Sequence, residues 1–213
     1  MPNPLTLSSL PLFPLGTVLF PGGILPLRIF EVRYLDMIGK CHKSGAPFGI
    51  VSLTQGREVR GAESSANPET FCSVGTLARI LDFDNSQAGL MTIRASGSYR
   101  FRINTRNQLK HGLWVADVAQ VDDDMAVPIP EDLQHTSDAL AALIEGLSQR
   151  DVTPAQMPLQ GPWQLQDCGW VANRWCELLP VPSPLKQRLM ELDNPLVRLD
   201  LVSDLLERTG ISG

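Results

Sequence analysis

The 213-residue sequence is poor in the residues that most often build sites. It has three histidines and four lysines, and its four cysteines form no Cys-x-x-Cys pair. Cys41, Cys72, Cys168 and Cys176 are dispersed, and His42, His111 and His135 do not cluster with them. This spacing excludes a zinc ribbon or finger. Long apolar runs are also missing. The longest, Val18 to Leu27, is broken by two prolines and two glycines, whereas a membrane-spanning helix needs ~20 apolar residues. The N-terminus, MPNPLTLSSLPLFPLG, lacks a basic region and is interrupted by prolines, so it does not read as a signal peptide. Lysine plus arginine total 18 against 23 acidic residues, for a net charge of -5. That balance argues against a dedicated nucleic-acid binder. These absences together predict a cytoplasmic protein with reduced thiols, and no membrane partner.

The common catalytic signatures are missing as well. The only Gly-Lys, Gly39-Lys40, has Tyr34 where a P-loop needs its first glycine, and Cys41 follows the lysine. No His-Glu-x-x-His occurs, and no serine has glycine at both flanking positions of a nucleophile elbow. No Gly-x-Gly-x-x-Gly is found, and no lysine stands in a Ser-Lys motif. Cys41 and His42 are adjacent, but on a helix they diverge by about 100°. The residues nominate no catalytic group, no metal ligand and no cofactor.

What is present is ordinary globular composition, 43% hydrophobic and 19% charged, with 17 prolines and 17 glycines. The hydrophobic pattern changes near residue 125. Before it, short strand-like runs dominate: Leu10–Phe13, Leu25–Ile29, Phe48–Leu53, Phe71–Phe83 and Trp114–Val121. Leu90–Ala95 and Tyr99–Thr105 flank Ser96-Gly97-Ser98, a spacing that predicts a tight hairpin. In its second arm Tyr99, Phe101 and Ile103 face one way and Arg100, Arg102 and Asn104 the other. In Trp114–Val121 the face carrying Val115, Ala119 and Val121 reads as one apolar side. One helix, Phe30–Lys43, carries Phe30, Tyr34, Met37, Ile38 and Cys41 as its stripe. Thr54–Pro68 reads as a surface loop, and Asp122-Asp123-Asp124 opens a solvated linker. Helical periods follow in Glu131–Arg150, Trp163–Leu179, Leu185–Leu192 and Pro195–Arg208, with Asn194 and Pro195 as an N-cap pair. Trp163, Trp170 and Trp175 read as core of a small bundle. The fold class expected is α+β: a twisted, mostly antiparallel, barrel-like β-subdomain with one helix over residues 1–124, then an α-helical bundle over 125–213.

The run Leu10-Pro-Leu-Phe-Pro-Leu-Gly-Thr-Val-Leu-Phe-Pro-Gly-Gly-Ile-Leu-Pro-Leu-Arg-Ile-Phe30 resembles the opening of the Lon N-terminal domain family. Glu31-Val-Arg-Tyr34 continues it. Val74-Gly-Thr-Leu-Ala-Arg-Ile80 and Gly97-Ser-Tyr-Arg-Phe-Arg-Ile103 resemble two further strands of that family, and the resemblance runs from about residue 10 to 207. It implies the same sheet-then-bundle fold. It also implies a stand-alone, non-catalytic module that recognises polypeptide, without the family's ATPase and Ser-Lys protease domains. Implied partners are unfolded segments or a protease, with a homodimer as one arrangement. Candidate polypeptide contacts are Leu25, Phe30, Arg33, Tyr34, Arg100 and Arg102. A small-molecule site between sheet and bundle, or an enzyme without a recognised motif, is the rival reading.

Overall fold

The computed structural model describes residues 5–56, 69–149 and 157–210. Most of the expected loop Thr54–Pro68, and Arg150, lie outside them. The chain divides into two compact units, residues 1–123 and 124–213.

Among the described residues, the first unit holds six strands and one helix: β1 (Thr6–Leu15), β2 (Ile24–Ile29), α1 (Val32–Ser44), β3 (Phe48–Gln55), β4 (Thr70–Asp84), β5 (Met91–Gln108) and β6 (Trp114–Gln120). The sheet order is β2-β5-β4-β3-β1-β6, and an additional β5–β6 pairing closes β5, β4, β3, β1 and β6 into a ring. The pairing of β1 with β3 is parallel, and the other strand pairings are antiparallel. This is the barrel-like sheet that the sequence predicts.

Both faces of the sheet are buried, so consecutive residues enter different cores. Leu10 and Leu12 join Val51, Phe71, Phe101, Ala116 and Val118 in one cluster. Phe13 and Leu15 join Ile50, Ile93 and the α1 residues Tyr34, Met37, Ile38 and Cys41 in another. Burial on two sides accounts for the continuous apolar run Leu10–Leu15, which strict alternation would not produce. Pro11 and Pro14 lie inside β1 rather than at its ends. They are tolerated because β1 pairs with β6 through Leu12 and with β3 only from Leu12 onward. Each proline therefore sits where one flank of the strand has no ladder to break.

Several local expectations are corrected. Ser96-Gly97-Ser98 is not a turn: β5 runs through it unbroken, and Gly97 pairs with Ala78. A side chain at Gly97 would meet the Phe20 carbonyl oxygen at 2.2 Å, so glycine is needed for close backbone approach. The approaching chain is the Phe20–Gly23 turn, closed by Gly23 N–H to Phe20 O at 3.0 Å with Gly22 at φ 73. Pro21 followed by that positive φ is type II turn chemistry. Just beyond Gly97, three steps on β5 oppose two on β4. This bulge re-aims the strand: Tyr99 is 41% exposed and Arg100 only 4%. On β6 the buried residues are Ala116 and Val118, not the face of Val115 and Ala119. Both faces of β6 carry apolar residues, so its phase was ambiguous in sequence. The helix expected from Phe30 begins at Val32, with Glu31 as its N-cap.

The second unit contains a short 3₁₀ turn (Glu131–Leu133), then α2 (Gln134–Ser148), α3 (Cys168–Leu178), α4 (Ser183–Glu191) and α5 (Pro195–Thr209). Asn194 caps α5 as expected, accepting from the Leu196 and Val197 amides. The helix expected from Trp163 starts five residues later, because the Asp167 carboxylate accepts the Trp170 amide at 2.8 Å and sets the N-terminus there. Trp175 is core, with its indole N–H on the Thr136 carbonyl at 2.9 Å. Trp163 is 44% exposed and meets the partly buried Trp170 edge-on at 6.1 Å, so Trp163 is not core. Asp124, read as solvated linker, is instead gripped by Arg198. No disulfide joins the four cysteines, and burial pushes the Cys176 thiol up to about 12.

Glu177 gives this unit a pH dependence. Burial pushes its carboxyl from 4.5 up to about 7, against the opposing charge of Arg174 at 2.8 Å and of Lys186. The folded chain then binds more protons than the unfolded chain between those two values. Stability is therefore highest below the unfolded value and falls as pH rises through the window, levelling off above it. Unfolding free energies of the whole protein from urea titrations at about pH 5 and about pH 8 should differ by about 1–3 kcal/mol from this group. Glu177→Gln, which keeps an oxygen for Arg174, should remove that part of the difference. An unchanged difference would show that Glu177 titrates normally.

Candidate functional site

Four of the six expected contacts, Leu25, Phe30, Arg33 and Tyr34, lie where β2 runs into α1. Among the described residues, β2 is the one terminal strand of the sheet order left outside the ring, since it pairs only with β5. Its inward face is apolar: Ile29 is buried, and Leu25 and Leu27 are partly buried against the α1 core. At its end the chain turns into the helix, and here Phe30 is 54% and Val32 73% exposed. Arg28, two residues before Phe30, is also exposed. Two large apolar side chains thus face water beside the open strand.

Arg33 and Tyr34 are different. Arg33 is buried and fully engaged: it donates to Glu31 at 3.0 Å, to Glu69 Oε1 at 2.9 Å and to the Gly112 carbonyl at 2.9 Å. Glu69 also accepts the Trp114 indole N–H at 3.0 Å. Burial alone would lower the Arg33 pKa, but the Glu69 hydrogen bond and the neighbouring Tyr34, Glu69 and Glu31 charges raise it above its ordinary value. Tyr34 is buried and stacked on Phe13 at 4.2 Å between ring centres. In this fold Glu-x-Arg-Tyr is thus an internal clamp. Arg33 ties the start of α1 to the residue preceding β4 and to the β5–β6 turn.

The two β5 arginines also part company. Arg100 is buried and donates to the Asp122 carbonyl at 3.1 Å. Arg102 is exposed, between Val74 and Ala119 in the ladders. Of the six residues, Phe30 and Arg102 present themselves to solvent and Leu25 does so in part.

Val32 escaped the sequence reading, although a signal existed. It is apolar yet lies outside the Tyr34, Met37, Ile38, Cys41 stripe of α1. Glu69 left no such trace, because it stands in a Gly-, Glu- and Ser-rich stretch. Among the described residues, no group of three or more His, Cys, Asp or Glu is placed to hold a metal ion. No described helix is long and apolar enough to cross a membrane.

Comparison with known proteins places this geometry in a family. Residues 9–208 match the model of the ATP-dependent protease La (LON) substrate-binding domain. The crystal structure of a Lon N-terminal domain protein from Xanthomonas campestris superposes with a TM-score of 0.69 at 28% identity, covering 93% of this chain and 98% of that one. The N-terminal domain of the Mycobacterium avium complex Lon protease shares the fold, with a TM-score of 0.58 at 17% identity, over 93% of this chain and 98% of that one. In sequence, the Lon protease of Anaeromyxobacter dehalogenans is 24% identical over 93% of this chain but only 23% of its own length. That of Flavobacterium johnsoniae is 30% identical over 45% of this chain and 11% of its own length. The chain thus spans about a quarter or less of these curated relatives. With the ring-plus-helix unit followed by helices and a family match over nearly its whole length, this chain belongs to the LON substrate-binding domain family.

Proposed function

We propose that this protein is a non-catalytic module that binds polypeptide, taking exposed apolar segments of unfolded chains through the Phe30–Val32 corner. The observation carrying this reading is the family match over residues 9–208. The two exposed apolar side chains beside the open strand support it. The absence of a P-loop and of a Ser-Lys motif from the sequence supports the non-catalytic part. Recognition would need no nucleotide, and delivery to a partner protease in the cytoplasm fits the same chemistry.

The test is titration of the whole protein with a reduced, carboxymethylated unfolded protein in the absence of ATP. Binding is expected. Replacing Phe30 and Val32 together by serine should weaken it by about tenfold or more, as loss of central apolar anchors does. Melting temperature should stay unchanged, because both side chains face water. Absence of binding at high concentration, or full binding by the double variant, would overturn the reading.

A further inference from the structure

We propose that the outer edge of β2 takes up an extended polypeptide as a further strand, so that recognition is made by backbone as well as by apolar side chains. This rests on the polypeptide-binding reading above and specifies its mode. The argument begins with parity. The Gly97 amide donates to the Gly23 carbonyl at 2.9 Å, and the register then runs without a shift from Ile24 opposite Ser96 to Ile29 opposite Met91. Antiparallel ladders alternate between pairs that exchange hydrogen bonds and pairs that do not. The main chain of Leu25, Leu27 and Ile29 therefore points at β5. That of Ile24, Pro26 and Arg28 points away from it.

Among the described residues, no hydrogen bond reaches the outward amides of Ile24 and Arg28, or the outward carbonyls of Ile24, Pro26 and Arg28. Donors and acceptors repeating every second residue along a strand edge match one partner well, another extended backbone. A helix has no main-chain groups to spare at that spacing, and a small molecule cannot span it. Pro26 removes one donor from the middle of the edge. Indiscriminate sheet growth is thereby weakened while three acceptors remain.

Side chains then set the preference. Those of the incoming strand that fall on the Leu25 and Leu27 face extend a partly buried apolar surface. Those on the other face meet Pro26 and the Arg28 guanidinium. The favoured segment alternates apolar residues with polar or acidic ones and lacks proline at the positions that donate to β2.

The experiment uses the whole protein and a short peptide of alternating valine and glutamate, carrying a fluorophore at one end. Two further peptides carry N-methyl groups on every second amide, in opposite phases. Strand addition predicts that one phase weakens binding by about tenfold or more while the other leaves it nearly unchanged. Exchange of the Ile24 and Arg28 amides with solvent deuterium should slow on binding. Arg28→Pro should weaken binding, whereas Arg28→Ala, which keeps the amide, should weaken it less. Equal effects of the two methylation phases, or binding without protection of both amides, would overturn the proposal. If only the carboxymethylated protein binds and the peptide does not, the edge assignment fails and the polypeptide reading stands. If neither binds, both fail.

Discussion

Arg33→Met is expected to cost about 3–5 kcal/mol of unfolding free energy, the usual penalty for stranding a buried charge. Arg33 has 5% of its side chain exposed and Glu69 7%, so neither ion falls back on water when its partner is lost. Removing the guanidinium also leaves the Gly112 carbonyl without its 2.9 Å donor from Arg33. Domains of this size are stable by about 5–15 kcal/mol, so the variant should still fold but melt far earlier. The charge explanation makes a second demand. In Arg33→Met with Glu69→Gln, the new amide oxygen still accepts the Trp114 indole N–H, but no carboxylate is buried. That double variant should be more stable than Arg33→Met alone. Urea denaturation of the three proteins decides the matter. A double variant no better than the single one would show that packing, not charge, is what Arg33 supplies.

Arg198→Met should be comparably damaging, by about 3–5 kcal/mol, but in the helical unit. Arg198 is 1% exposed and occupies the middle of a hub. It donates to the Leu189 carbonyl at 2.9 Å, to Asn173 at 3.1 Å and to Asp124 Oδ1 at 3.0 Å, and further to Asp124 Oδ2 and the Leu192 carbonyl. One planar fork thus fastens α5 to α3, to the end of α4 and to the segment that enters the unit. Arg198→Lys keeps the charge but loses the fork, and should recover less than half of the lost stability. Hydrogen exchange of α3 and α5 amides is the direct readout, since local loosening there should accompany the global loss. Wild-type protection in Arg198→Met would refute this role.

The contrast between these two arginines and Arg102 shows where sequence reading stops. Arg33, Arg100, Arg102 and Arg198 carry the same charge on the same stem. What separates them is a partner 36 residues away for Arg33, 22 away for Arg100 and 74 away for Arg198. No local period reports such a partner. The same holds for Gly97. Its neighbours spell a turn, yet its true constraint is a carbonyl from Phe20, brought there by β2 and β5 pairing.

Periodicity along the chain was enough to establish strands followed by helices, the change of pattern near residue 125, the α1 stripe from Tyr34 to Cys41 and the Asn194 cap. Each depends on residues within a turn or two of one another, where spacing alone sets which side chains share a face. Ring closure through β5 and β6, the phase of β6, and the sorting of candidate contacts into buried Arg33, Tyr34 and Arg100 and exposed Phe30 and Arg102 were decided only in three dimensions. Burial depends on what distant segments are laid over a residue, and that is fixed by strand order and register rather than by the residue's own neighbours.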